Sequence, residues 1–187
     1  MRIQFRGYAA DCTVNGQLEV SDTRLSDMLS RAEHIAVENA VLDSLDGTRS
    51  VPAGLLLLQR DELHAVDAGP GAGDPQRRVR TVRHMLRLNA GPYVIFGEMH
   101  ARPGADALRF FHTRRGFVPL TDCHVIVRSE SGATVDTADV LVVNSELVDA
   151  LNQTTQADMQ AELAMLRQAI EAPTDTSLPT SEAPGIA

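Results

Sequence analysis

Apolar and polar residues alternate at the start of the chain, change spacing, and then alternate again. Arg2-Ile3-Gln4-Phe5-Arg6 sets Ile3 and Phe5 on one side and polar residues on the other, the period of a half-buried strand. Cys12, Val14 and Leu18 carry that period towards Val20, with Asn15-Gly16 read as a bulge or tight turn inside the strand. Leu25, Met28 and Leu29 then recur at helical spacing behind the capping side chains Ser21, Asp22 and Thr23. Asp27 falls in the first turn, where the helix dipole favours an acid. This predicts a two-turn helix ending near Ala32. Strands follow at Ile35 to Leu45, Gly54 to Leu58 and Leu63 to Val66, divided by Asp46-Gly47 and by Gln59-Arg60-Asp61-Glu62.

The same order then recurs. Val82, His84, Leu86 and Leu88 alternate, and Tyr93-Val94-Ile95-Phe96 forms a strand core. Pro103-Gly104 turns, Asp106 caps, and Leu108, Phe110 and Phe111 open a short helix. Strands at Phe117 to Val127 and at Val140 to Val143 flank a Ser131-Gly132 turn. The matching positions keep register. Val14-Asn15-Gly16-Gln17-Leu18 answers Ile95-Phe96-Gly97-Glu98-Met99 at an offset of 81. Leu25, Met28, Val37 and Asn39 answer Leu108, Phe111, Leu120 and Asp122 at 83, and Leu58 and Leu63 answer Val143 and Val148 at 85. A slowly growing offset is what loop insertions produce. The expected fold is mainly β (α+β): two tandem small β-barrel-like repeats, each with one short helix, plus a C-terminal amphipathic helix. The repeats are placed at 1–66 and 82–151, joined by a Gly/Pro/Arg-rich linker at 67–81.

Beyond Leu151 the spacing changes once more. Met159, Leu163, Leu166 and Ile170 make one stripe of an amphipathic helix predicted over 152–172. The stripe packs on the chain's own strands or pairs with a second subunit, so these four residues are candidates for helix-mediated assembly. Residues 173–187, rich in Pro, Thr, Ser and Glu, are expected to be a disordered tail.

Arg24-Leu25-Ser26-Asp27-Met28-Leu29 lies between a Val-x-Gly strand and a Val-x-x-Asn-Ala-x-Val strand. This arrangement resembles an uncharacterised bacterial small β-domain family with an Arg-Leu-Ser-Asp-x-Leu helix start. In the second unit Ala107-Leu108-Arg109-Phe110-Phe111-His112 replaces that start. The order of strands around one short helix is also similar to small Sm-like or SH3-like barrels. These resemblances imply a fold and no activity. The stretch from Ala107 to Val118 is more weakly similar to the glyoxalase-type (vicinal oxygen chelate) fold, which would imply His and Glu ligands around a metal.

Composition narrows the chemistry. Hydrophobic residues make up 43% of 187, but aromatics only 4% with no Trp, so the core must be built from Val, Leu, Ile and Ala. No apolar run approaches the ~18 residues of a membrane helix, and the N-terminus lacks a signal-peptide pattern, which predicts a cytoplasmic protein without membrane insertion. Cys12 and Cys123 are expected to be reduced, buried thiols. The Gly-x-Gly of the linker lacks the Gly-Lys-Ser/Thr of a nucleotide loop, and no cofactor is implied. No Gly-x-Ser-x-Gly elbow is present, and Cys123 and His124, as strand neighbours, face opposite ways, so no catalytic residue is assigned. None of the six His has HxH, HxxxH or HExxH spacing. His100, His112 and His124 with Glu98 or Glu146 would be the metal set of a glyoxalase-like enzyme, but no metal site is assigned.

Charge is unevenly placed. The chain carries −8 overall. Residues 1–75 hold 6 Arg and 12 acids, net −6, whereas residues 77–115 hold 9 Arg and 2 acids, net +7. Arg77, Arg78, Arg80, Arg83, Arg102, Arg109, Arg114 and Arg115 therefore form the best candidate surface for a partner or an anion. The leading expectation is a non-enzymatic interaction or assembly module that self-associates or docks on a protein partner. The alternatives are a metal-dependent glyoxalase-like enzyme and nucleic-acid or polyanion binding through the Arg-rich face.

Overall fold

A computed structural model describes residues 2–20, 24–69 and 80–171. Ten strands account for most of them: β1 (Arg2–Ala9), β2 (Cys12–Glu19), β3 (His34–Ser44), β4 (Ser50–Gln59), β5 (Leu63–Asp67), β6 (Val82–Ala90), β7 (Tyr93–Ala101), β8 (Phe117–Ser129), β9 (Gly132–Asn144) and β10 (Ala150–Gln153). Helix α1 (Leu25–Arg31) joins β2 to β3, α2 (Ala107–Thr113) joins β7 to β8, and α3 (Gln156–Glu171) follows β10. None of the described helices is long and apolar enough to cross a membrane.

The mainly β fold stands, but two closed barrels do not form. All ten strands lie in one sheet with antiparallel pairing throughout, in the order β10-β6-β7-β8-β9-β5-β1-β2-β3-β4. The physical reason is the β5–β9 pairing: Ala65, Val66 and Asp67 sit opposite Val143, Val142 and Leu141, so the hydrogen-bonding edges are used to join the two halves of the chain. Other boundaries also differ from the sequence reading. β10 runs to Gln153, into the segment assigned to the last helix, because residues 150–153 pair with 86–89 of β6. The α3 N-terminus is then fixed at Thr155, whose hydroxyl accepts from the Asp158 amide (3.1 Å) while the Asp158 carboxylate accepts from the Thr155 amide (3.2 Å). At α1 the N-cap residue is Arg24, with no side-chain cap bond; Ser21 to Thr23 lie outside the described residues, as do 70–79 of the linker and the 173–187 tail.

The first five strands in space, β5-β1-β2-β3-β4, and the second five, β10-β6-β7-β8-β9, run in the same order. Their registers also correspond. Val37 faces Leu56 in the first run, and Leu120 faces Leu141 in the second. Arg6 faces Asp67, and Arg87 faces Asn152. Both runs carry an irregularity at the same point, after Asn15 in β2 and after Phe96 in β7, where the opposing strand contributes one extra residue. The bulge expected at Asn15-Gly16 thus belongs to the opposite strand. The extra residues include Asn39 (φ 51°) and Asp122 (φ 52°), the non-glycine positions with positive φ among the described residues, and Asn and Asp tolerate that conformation best. Gly16 and Gly97 lie across from these bulges. A β-carbon would come 2.5 Å from Val37 Cγ1 at Gly16 and 2.8 Å from Cys123 Sγ at Gly97, so both sites require glycine for close approach.

Three apolar clusters hold the sheet. One contains Leu86, Leu88, Tyr93, Ile95, Phe111, Leu120 and Val125 from the second run, completed by Tyr8 and Ala65 of the first. Another contains Phe5, Val14, Leu29, Val37 and Leu63 from the first run, completed by Phe117 and Val142 of the second. Each half therefore lends residues to the other's core. Strand β9 shows how: Leu141 and Val143 enter one core while Val142, between them, enters the other. The junction is reinforced by the Tyr93 hydroxyl donating to the Ala9 carbonyl, by a Tyr8–Tyr93 edge-to-face contact at 5.4 Å and by an Arg6–Asp136 ion pair. In the third cluster Met159 and Leu163 of α3 cover Val94, Phe96 and Ile126 on the outer face of β7 and β8.

Candidate interaction site at the open sheet edges

A strand apolar on both faces needs cover on both faces. Besides the β7 and β8 segments whose outer face α3 covers, two segments have that character: Val140-Leu141-Val142-Val143 in β9 and Leu55-Leu56-Leu57-Leu58 in β4. The first is covered: Leu141 and Val143 enter one core and Val142 the other, and β8 and β5 occupy both edges of β9. The second is not. β4 pairs with β3 on one side and ends the sheet on the other. Leu56 and Leu58 reach the core of the first run, but Leu55 and Leu57 are each 66% exposed, and Val51 is 48% exposed.

Exposed edge strands are normally blunted by charge, proline or irregularity. The N-terminal half of β4 has such protection in Pro52 and in Gly54, which adopts φ 67°. The segment from Leu55 to Leu58 carries no charge and no proline. Its composition leaves the backbone free to pair. The opposite end of the sheet is β10, whose four residues, Ala150-Leu151-Asn152-Gln153, pair with β6 and are likewise uncharged.

The arginines expected to form a surface divide into several settings. Arg77 and Arg78 lie outside the described residues. Arg80 is exposed ahead of β6. Arg83 is held at 3.0 Å by Glu98 and at 3.8 Å from Asp122. Arg102, Arg109, Arg114 and Arg115 are exposed before, on and after α2, and the Arg114 guanidinium stacks 4.5 Å over the Phe110 ring. Pairing of Val82 with Ala101 puts the start of β6 and the segment leading to α2 at one end of the sheet. Arg87 is set apart from this group: its guanidinium grips Glu162 of α3 with two 3.0 Å hydrogen bonds, which raises its pKa. Of the helix stripe, Met159 and Leu163 are buried and Leu166 packs against the same cluster, so this face is occupied by the chain's own sheet. The Ile170 side chain lies outside the described ones.

No family model, curated protein or solved structure matches this chain.

Among the described residues no three His, Cys, Asp or Glu side chains gather where a metal could sit. His100 is engaged by the Thr81 and Thr121 hydroxyls, at 3.3 and 2.9 Å. Burial pushes the free thiols up, Cys12 to about 11 and Cys123 to about 12, so both are poor nucleophiles near neutrality. A shallow groove of about 630 Å³ lies among the turns holding Asp11, Asp46, Arg49, Arg128 and Glu130, with charges of both signs and no convergent set.

The β4 edge was missed from sequence because a strand read over Gly54 to Leu58 carries no mark of whether it ends the sheet. The available signal was the parity of its leucines: both faces apolar in a segment whose counterpart, Val140 to Val143, is apolar on both faces as well.

Proposed function

We propose that this protein is a non-enzymatic interaction module that receives a protein partner by strand addition at the β4 edge. The observation that carries the reading is the exposure of Leu55 and Leu57 on an uncharged, unpaired edge. Backbone groups there supply sequence-independent affinity, and the outward leucines supply side-chain specificity. A partner strand would remove both leucines from water, worth about 1.5–3 kcal/mol each when fully buried. Placing a photo-activated cross-linking residue at 55 or 57 in cells tests this. Adducts are expected from both positions and not from the exposed turn residue Glu130. Absence of adducts from both edge positions would remove the proposal.

A further inference from the structure

The partner of the β4 edge can be named from the chain's own internal junction. This step rests on the reading of β4 as an interaction edge and says what fills it. We infer that β10 of a second copy pairs with β4, repeating between chains the pairing that β5 and β9 make within one.

The correspondence of the two five-strand runs carries the argument. Position for position, β9 matches β4 and β10 matches β5, in both cases at an offset of 85. The internal pairs are Ala65–Val143, Val66–Val142 and Asp67–Leu141. Their transposed counterparts are Ala150 of one copy opposite Leu58 of another, Leu151 opposite Leu57, and Asn152 opposite Leu56. The internal junction also has the Ala68 amide donating to the Val140 carbonyl at 2.8 Å, whose counterpart is the Gln153 amide donating to the Leu55 carbonyl. Thus β10 spans the segment of β4 that lacks proline and charge.

Burial agrees with this register. Leu57 takes the place of Val142, which is 2% exposed at the internal junction, whereas Leu57 is 66% exposed in the single chain. Val142 lies in the core of the run it docks against, and Leu57 would do the same in the second copy. Charge agrees as well. At the internal junction α1 meets the start of β8: a β-carbon at Gly116 would come 3.2 Å from Ser30 Oγ. The counterparts are Thr113, at the end of α2, and Glu33, just before β3. Arg114 and Arg115 follow Thr113, while Glu33 and Glu62 stand beside the Arg60–Asp61 ion pair at the end of β4. An arginine-rich end therefore meets an acidic one.

Within one chain these two edges end opposite sides of an open sheet and do not pair with each other. The contact uses different surfaces on the two copies, so every added chain presents a new open edge, and copies join head to tail into a ring or a filament.

The test uses cysteines at the facing positions. In a chain carrying Leu57→Cys with Leu151→Cys, a short thiol-reactive linker should give covalent multimers, with the 57–151 link found by mass spectrometry. Neither single variant should give more than the background that Cys12 and Cys123 produce. Leu57→Lys should lower the mass by light scattering to that of one chain, with the unfolding temperature of dilute protein unchanged because Leu57 is exposed in the single chain. A cross-linked dimer from Leu57→Cys alone would mean that two β4 edges meet each other, and head-to-tail pairing would be overturned. A monomeric wild type at tens of micromolar, with no 57–151 link, would overturn it too. If the photo-cross-linker at Leu57 then captured a different chain, the interaction reading would survive this failure; if it captured nothing, both would fall.

Discussion

The two five-strand runs have inner faces built alike and outer faces built differently. Asn15 and Asp43 in the first run occupy the positions that Phe96 and Ile126 occupy in the second, and Thr13 and Gln4 match Val94 and Met85. In the first run the Asn15 side-chain amide donates to the Asp43 carboxylate at 2.8 Å, both residues stay half-buried, and none of the described helices covers them. In the second run the apolar face needs cover, and α3 supplies it through Met159 and Leu163. A change of a few outward residues on a common strand frame thus decides whether a helix is recruited, since burial of apolar area is what fastens an amphipathic helix to a sheet.

Exchanging the outer faces is the most severe way to break this contrast. Phe96→Asn with Ile126→Asp should cost about 5 kcal/mol or more, since two fully buried apolar side chains would be replaced by an amide and a carboxylate shut in beneath α3. Urea unfolding would measure the loss, and hydrogen exchange should show α3 released first. The reverse exchange, Asn15→Phe with Asp43→Ile, touches a partly exposed face and should change stability by roughly 1 kcal/mol or less while promoting association through a new apolar patch. Equal costs in the two directions would contradict the contrast.

The paired glycines sharpen the part that is shared. Gly16→Ala and Gly97→Ala should each cost about 1–3 kcal/mol by overpacking. Gly16→Ala should be the worse, because its β-carbon meets the Glu38 carbonyl oxygen at 2.8 Å, which is backbone, whereas Gly97 meets the side chains of Cys123 and Leu120. Thermal unfolding of the two variants checks the order.

A smaller effect is expected at the ion pair that ties α3 down. Arg87→Gln should cost about 1 kcal/mol, discounted for partial exposure of both partners, and the difference from wild type should shrink in high salt.

The gentlest test concerns the junction and pH. His64 of β5 is buried against the β6–β7 turn, where a β-carbon on Gly91 would come 2.7 Å from its Cε1, and burial holds its pKa below the ordinary histidine range. The folded state therefore resists protonation that the unfolded chain accepts below about pH 6.5. This contribution to stability is complete above that pH and is lost as pH falls towards the folded-state pKa. His64→Gln should flatten the decline in urea midpoint between about pH 7 and 5.5, relative to wild type.

Much of the fold could be read from particular residues. Alternation placed the cores of nearly every strand, and the helical spacing of Leu25, Met28 and Leu29 placed α1. Asp106 was legible as a cap, and its carboxylate accepts from the Leu108 and Arg109 amides at 3.0 and 3.1 Å. Strand ends were less visible: β9 begins at Gly132, eight residues before the apolar core at Val140, because polar strand residues keep no periodicity that a turn lacks. β10 was hidden for the same reason, since Ala-Leu-Asn-Gln has no pattern of its own and becomes a strand through pairing with β6. At the candidate site, the charge asymmetry drew attention to the arginines, whereas the exposed leucines stood in a strand whose place at the sheet edge the sequence does not mark.

Sequence alone determined what is local: the alternation of nearly every strand, the stripe on α3, and the correspondence of residues at offsets that grow from 81 to 85. These follow from side-chain period and steric demand, which act within a few residues. Only the tertiary structure decided which edges meet. Val140 to Val143 and Leu55 to Leu58 have the same apolar character, yet one is buried between two strands and the other faces water. Their difference arises from the β5–β9 pairing, a contact between residues far apart in the chain whose hydrogen bonds come from backbone groups that every residue carries, and so leave no mark in the sequence.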